Sequence, residues 1–176
     1  SLGIDIVIHS ATKYLGGHSD LIAGVVAGPQ VLVSEVIAIS HLYGPALDPH
    51  TAWLLDRGLR TLEARVRVHN QNALEISERL NGHPAIEQVI YPGLPSHPDH
   101  VVAAELMAGF GGIVSIVLNG GGVVADRFLS ALKVAVAAPS LGGVETLVSQ
   151  PRYTSHAGLT HEEREAQGIP DGFVRI

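Results

Sequence analysis

Apolar and polar positions alternate between two periods along this chain, and the changes of period mark out its elements. Residues 4–9 form a short apolar run rich in β-branched side chains, bounded by Gly3 and Ser10. It reads as a buried strand of a parallel sheet. Residues 21–27, closed by Gly28-Pro29, give a second strand, and 29–40 fit a helix with proline in its first turn. Asp48-Pro49 has the form of an N-cap followed by proline at the first helical position. Leu55, Leu59, Leu62 and Val66 then continue a helical stripe until Asn81-Gly82 and Pro84 stop it. A helical stretch of about 30 residues is long beside a mean of 11 or 12, so a kink or two abutting helices is expected.

Beyond it the pattern predicts a strand over 86–91, a Pro/Gly/His loop over 92–100, a helix over 101–108 and a strand over 113–118. A helix over 123–133 follows, then strands over 134–138 and 145–149. The capping box Thr160 to Glu163 opens another helix, and a last strand spans 173–176. Strands interleaved with helices, several in antiparallel order, indicate a small α+β domain. The chain opens without methionine and stops inside a strand pattern, so both ends are expected to be cut from a longer protein.

Composition narrows the function classes. Of 176 residues, 46% are hydrophobic and 16% charged, which is the balance of a globular protein with a core. A net charge of −6, with no basic run, argues against a nucleic-acid partner. No apolar run reaches the roughly 20 residues of a membrane span, and a secretory leader pattern is absent. Without cysteine there are no disulfides, thiolate ligands or cysteine nucleophiles, and a cytoplasmic location is the expectation. His97 and His100 stand three apart in the Pro-rich loop but lack a third ligand at suitable spacing, so no metal site is expected. Gly120-Gly121-Gly122 follows a strand without a phosphate-loop pattern and reads as a turn.

The chemistry concentrates after the first strand, in Ser10-Ala11-Thr12-Lys13-Tyr14-Leu15-Gly16-Gly17-His18-Ser19. Two hydroxyls and an amine delivered to one loop suit a phosphorylated aldehyde: the hydroxyls donate to phosphate while the amine reaches the aldehyde. This segment closely resembles the lysine segment of the pyridoxal-phosphate (PLP) enzymes of Cys/Met metabolism, which include cystathionine γ-lyase, cystathionine γ-synthase and methionine γ-lyase. The resemblance continues in family order through Tyr91-Pro92-Gly93-Leu94, the strand after Gly111-Gly112, Ser140-Leu141-Gly142-Gly143-Val144-Glu145, residues 151–156 and Gly172-Phe173-Val174-Arg175-Ile176.

What the resemblance implies is specific. The fold would be α/β, the C-terminal portion of a fold-type I (aspartate aminotransferase-like) enzyme. Residues 1–64 would be the end of the large cofactor domain and 65–176 the small α+β domain. Lys13 would hold PLP as a Schiff base and shuttle protons, Ser10 and Thr12 would bind the phosphate, and Ser140 and Arg175 would receive the substrate. A guanidinium suits an α-carboxylate because its planar fork makes two parallel charge-assisted hydrogen bonds. Tyr14 and His18 are assigned to packing and loop orientation, and Ser155 stands where relatives usually carry threonine.

The expected reaction is γ-elimination on a methionine- or cystathionine-like amino acid to a 2-oxo acid, ammonia and a thiol. The alternatives are γ-replacement of the cystathionine γ-synthase or O-acetylhomoserine sulfhydrylase type, or a non-catalytic fragment. Pro139 stands where cystathionine-handling relatives commonly carry an acidic residue, which favours a simpler thioether. Family members assemble as homo-oligomers, here expected as a dimer of dimers. The family's cofactor-stacking tyrosine, its ring-nitrogen aspartate and its glycine-rich phosphate segment precede the lysine, so these residues alone are expected to be inactive.

Overall fold

The computed structural model describes residues 3–176; Ser1 and Leu2, where the reading begins, lie outside the described residues. The chain forms two compact units. The first holds residues 1–63 together with Gly142–Val144, and the second holds Ala64–Leu141 with Glu145–Ile176.

In the first unit, strands β1 (Val7–Ser10) and β2 (Gly24–Ala27) pair in antiparallel register, with Ser10 opposite Gly24 and His9 opposite Val25. This corrects the expected buried parallel strand: β2 returns beside β1, and all four β1 residues are exposed. The apolar run of residues 4–9 signals burial, but of these residues only Ile6 is even half-buried, and Ile8 remains 75% exposed. Helix α1 (Gln30–Tyr43) starts from Pro29 and ends at Gly44, whose φ of 81° supplies the left-handed cap. Helix α2 (Pro49–Leu59) is capped by Asp48, whose carboxylate accepts from the backbone N–H groups of His50 and Thr51. A small core of Ala11, Leu21 and Leu55, flanked by Leu15, Ala23, Val25 and Leu54, ties α2 to the segment that follows β1.

The predicted long helix breaks at Arg60-Thr61, and α3 (Leu62–Leu80) resumes beyond it. In the second unit, β3 (Ile86–Ile90), β4 (Ser115–Leu118) and β7 (Phe173–Arg175) form an antiparallel sheet in the order β3-β4-β7. Helices α4 (His100–Leu106), α5 (Gly121–Ser130) and α6 (His161–Ala166) and a 3-10 turn (Pro151–Tyr153) complete it, with a short parallel pair β5 (Val136–Ala137) and β6 (Leu147–Val148). The core gathers Ala73, Tyr91, Leu94, Val114, Ile116, Leu118, Ala125, Val148 and Val174. Full burial stabilises an aliphatic side chain of this size by roughly 1.5–3 kcal/mol, so the sheet is the unit's rigid platform. Thr160 and Glu163 make the expected reciprocal capping box at α6.

Candidate functional site

The lysine segment is a wound turn hung from β2. Ala11 N–H and Thr12 N–H both donate to the Ala23 carbonyl, at 2.8 and 3.3 Å, and Ala23 N–H donates back to the Thr12 hydroxyl at 3.1 Å. Lys13 N–H donates to Ser10 O, Gly16 N–H to Ala11 O and Gly17 N–H to Lys13 O, so residues 10–17 coil on themselves. Ala11 is fully buried beneath them and Lys13 is half-buried. The His18 ring holds the Gly16 carbonyl at 2.9 Å, in keeping with a loop-orienting part.

This turn is suited to a phosphorylated aldehyde. Ser10 sits exposed at the end of β1. The Thr12 hydroxyl accepts from Ala23 N–H, while its own proton reaches Ala23 O only at 3.4 Å, the weak limit of a hydrogen bond. That proton can turn to a phosphate oxygen while the acceptor bond keeps the side chain in place. Ser10, Thr12 and Lys13 therefore fit the cofactor that the sequence resemblance implies.

Three glycines near this turn are seated against backbone. A Cβ on Gly142, whose φ is +78°, would lie 2.7 Å from Tyr14 N and 3.1 Å from the Lys13 carbonyl carbon. One on Gly58 of α2 would run into the Gly16 carbonyl and lie 2.9 Å from that of Leu15. One on Gly16 would meet Ala11 O at 2.9 Å. Sequence reasoning gives Gly58 and Gly142 no role.

Arg175 lies on β7 in the second unit. Val174 is fully buried, so the alternation of the strand turns Arg175 to the opposite face. Its backbone is locked on both sides: it pairs with Ser115 of β4, and it exchanges two 2.8 Å hydrogen bonds with Ser149 just after β6. Its guanidinium Nη2 donates to the carbonyls of Pro139, at 2.7 Å, and Ser140, at 3.1 Å. The structure thus brings Ser140 and Arg175 together through the Ser140 main chain.

Neighbouring polar groups are structural. Arg152 donates to Asp126, to the Gly122 carbonyl and to Gln150, and Gln150 donates to Asp126. Hydrogen bonds from Gln150 and Arg152 hold the Asp126 carboxyl below the usual carboxylate value. The Ser155 hydroxyl pairs with the ring of His156 at 2.8 Å. His100 Nδ1 meets Pro92 O, and His97 Nδ1 accepts from Asp99 N–H, so both rings serve their own loop. Among the described residues no cluster of three or more His, Asp or Glu could hold a metal ion, and no helix is long and apolar enough to cross a membrane.

Comparison with known proteins identifies the family. The signature described as Cys/Met metabolism PLP-dependent enzyme matches residues 1–176. Cystathionine gamma-synthase 1, chloroplastic, of Nicotiana tabacum is 46% identical over 176 residues, covering 100% of this chain and 33% of that protein. L-methionine gamma-lyase of Fusobacterium nucleatum subsp. nucleatum is 44% identical, over 99% of this chain and 45% of the relative. The crystal structure of cystathionine gamma synthase from Xanthomonas oryzae pv. oryzae in complex with aminoacrylate and cysteine superposes with a TM-score of 0.93 at 44% identity, covering 98% of this chain and 45% of that one. The chain thus spans between a third and a half of the length of these relatives. Matched along its whole length by the family signature, and sharing the relatives' α/β fold, it belongs to the Cys/Met metabolism PLP-dependent enzymes.

Proposed function

We propose that this chain supplies the cofactor lysine and the substrate-binding arginine of a PLP-dependent carbon–sulfur lyase, as the C-terminal part of that enzyme. On this reading residues 1–64 end the large domain and 65–176 form the small one. The observation that carries the proposal is the wound turn after β1, which presents Ser10, Thr12 and Lys13 from one backbone anchor at Ala23. Family membership supports PLP as the cofactor.

Bound PLP supplies an electron sink that makes loss of a proton from the substrate Cα feasible. Ser10 and Thr12 would donate hydrogen bonds to its phosphate. Lys13 would hold the cofactor, and its free amine would carry protons between Cα and Cβ of the substrate as base and then acid. Arg175 would grip the α-carboxylate of the amino acid beside Ser140. Cleavage of the Cγ–S bond releases a thiol, and water releases ammonia and a 2-oxo acid.

The substrate is a small amino acid, a methionine-like thioether or cystathionine. Uncharged Pro139, next to Ser140, favours the simpler thioether over one with a distal ammonium group. Gamma-replacement, in which an incoming thiol bonds to Cγ in place of the departed substituent and the amino group is kept, is the second reading, and it is favoured by the gamma-synthase names of two relatives. The apolar surface of α1, with Val31, Leu42 and Tyr43 each more than 70% exposed, supports association with a further copy of the chain; a dimer of dimers in the cytoplasm completes the proposal. The test is an assay of the full-length protein with PLP. Release of 2-oxo acid and thiol from methionine alone supports elimination. Turnover that requires an activated homoserine and a thiol supports replacement, and none with either supports a non-catalytic chain.

A further inference from the structure

Left-handed glycines occur throughout this chain, but they differ in what surrounds them. Gly44, Gly82 and Gly168 have φ of +81°, +79° and +72° and nothing within 4 Å of a built Cβ, so each is there only to turn the chain. Gly142, at φ +78°, is different: the space its side chain would take is filled by Tyr14 N at 2.7 Å, the Lys13 carbonyl carbon at 3.1 Å and Tyr14 Cδ2 at 3.1 Å. The first two atoms belong to the peptide bond that leaves Lys13. A peptide is planar and moves as a unit, so pushing it aside rotates ψ of Lys13 and swings the whole lysine side chain. No flexible side-chain end is available to yield instead.

We propose that Gly142 is a positioning residue for Lys13, its absent side chain forming the seat of the Lys13–Tyr14 peptide, with Gly58 supporting the same turn from the other end. The proposal rests on the reading of Lys13 as the cofactor lysine. Gly58 lies in the regular backbone of α2, and a Cβ there would strike the Gly16 carbonyl and crowd that of Leu15. Two backbone-to-backbone seats therefore hold the turn, at residues 13–14 and at 15–16. With the Ala23 anchor at its start, the turn is fixed at three places, and a reactive amine on a four-carbon chain gains its aim from the peptide beneath it.

The test uses the full-length protein with pyridoxal phosphate itself as probe, in wild type and in Gly142→Ala, Gly58→Ala and Gly168→Ala. Three readouts apply: the fraction of Lys13 labelled after borohydride reduction, the pH midpoint of the bound cofactor's visible absorbance, and kcat against KM. Gly168→Ala, which adds the left-handed conformational penalty without a neighbour, is expected to match wild type. Folded Gly142→Ala is expected to label Lys13 poorly, shift the absorbance midpoint and lose roughly 100-fold in kcat with KM little changed, the size of effect a displacement of about 1 Å produces. Labelling, midpoint and kcat equal to those of Gly168→Ala would overturn the proposal. If Gly142→Ala does not fold, Gly58→Ala decides: the same displaced signature supports the proposal, and loss of folding in both assigns these glycines to the core and overturns it. Wild type without label on Lys13 removes the cofactor reading itself. Labelled wild type with an unperturbed Gly142→Ala removes only the positioning role.

Discussion

At the scale of single residues, the chain separates holding from reacting. Thr12 shows the division: one lone pair of its hydroxyl is committed to Ala23 N–H, and its proton is only loosely held. Arg175 shows it again, with a backbone fixed between Ser115 and Ser149 and a guanidinium resting on two carbonyls. Arg175→Ala is therefore expected to leave cofactor attachment intact and to weaken amino-acid binding roughly 10- to 100-fold, the worth of hydrogen bonds to a charged group. Titrating the cofactor's absorbance with amino acid measures this, and unchanged affinity would remove the assignment. The candidate residues were legible in the sequence because their order carries the family resemblance. Gly58 and Gly142 were not, because what matters there is the distance from a missing atom to backbone 40 or more residues or even 128 residues away in the chain, which no local pattern encodes.

Elements stop and start where their caps say. Asp48 with Pro49, Gly44, Gly82 and the Thr160–Glu163 box each mark a helix end by a local interaction, and local interactions are what a sequence displays. Thr160→Ala removes the acceptor for Glu163 N–H and is expected to cost about 1 kcal/mol, read in thermal or denaturant unfolding. Strand direction is a different matter. An apolar run fits a covered strand of either sense, and only pairing with a distant partner decides, so β1 turned out antiparallel to β2. Between elements, Arg152 joins the 3-10 turn to α5 through the Gly122 carbonyl and Asp126, with Gln150, only 2% exposed, bridging them. Arg152→Ala removes the donor to the Gln150 side-chain oxygen and to the Gly122 carbonyl and is expected to destabilise by about 1–3 kcal/mol. A denaturant midpoint equal to wild type would show that water replaces the guanidinium at no cost.

The whole molecule combines two units of unequal self-sufficiency. The second has a continuous core around β3-β4-β7, whereas among the described residues the buried apolar core of the first is Ala11, Leu21 and Leu55, and α1 has no buried residue. Stability should also respond to pH through His69, whose imidazole is held below its usual value of 6.5 first by burial and then by Arg65. A depressed histidine makes the unfolded chain bind more protons than the folded one, so stability is full above pH 6.5 and declines as pH falls below it. His69→Gln should flatten that decline in unfolding midpoints measured across the interval, and an unchanged slope would assign it elsewhere. The reading as a whole depends on Lys13 being the residue that carries the cofactor. Incubating the full-length protein with pyridoxal phosphate, reducing with borohydride and mapping the modified peptide tests this directly: label confined to Lys13 and absent in Lys13→Ala is the expected result, and label on Lys133 or the amino terminus with Lys13 unmodified would contradict it.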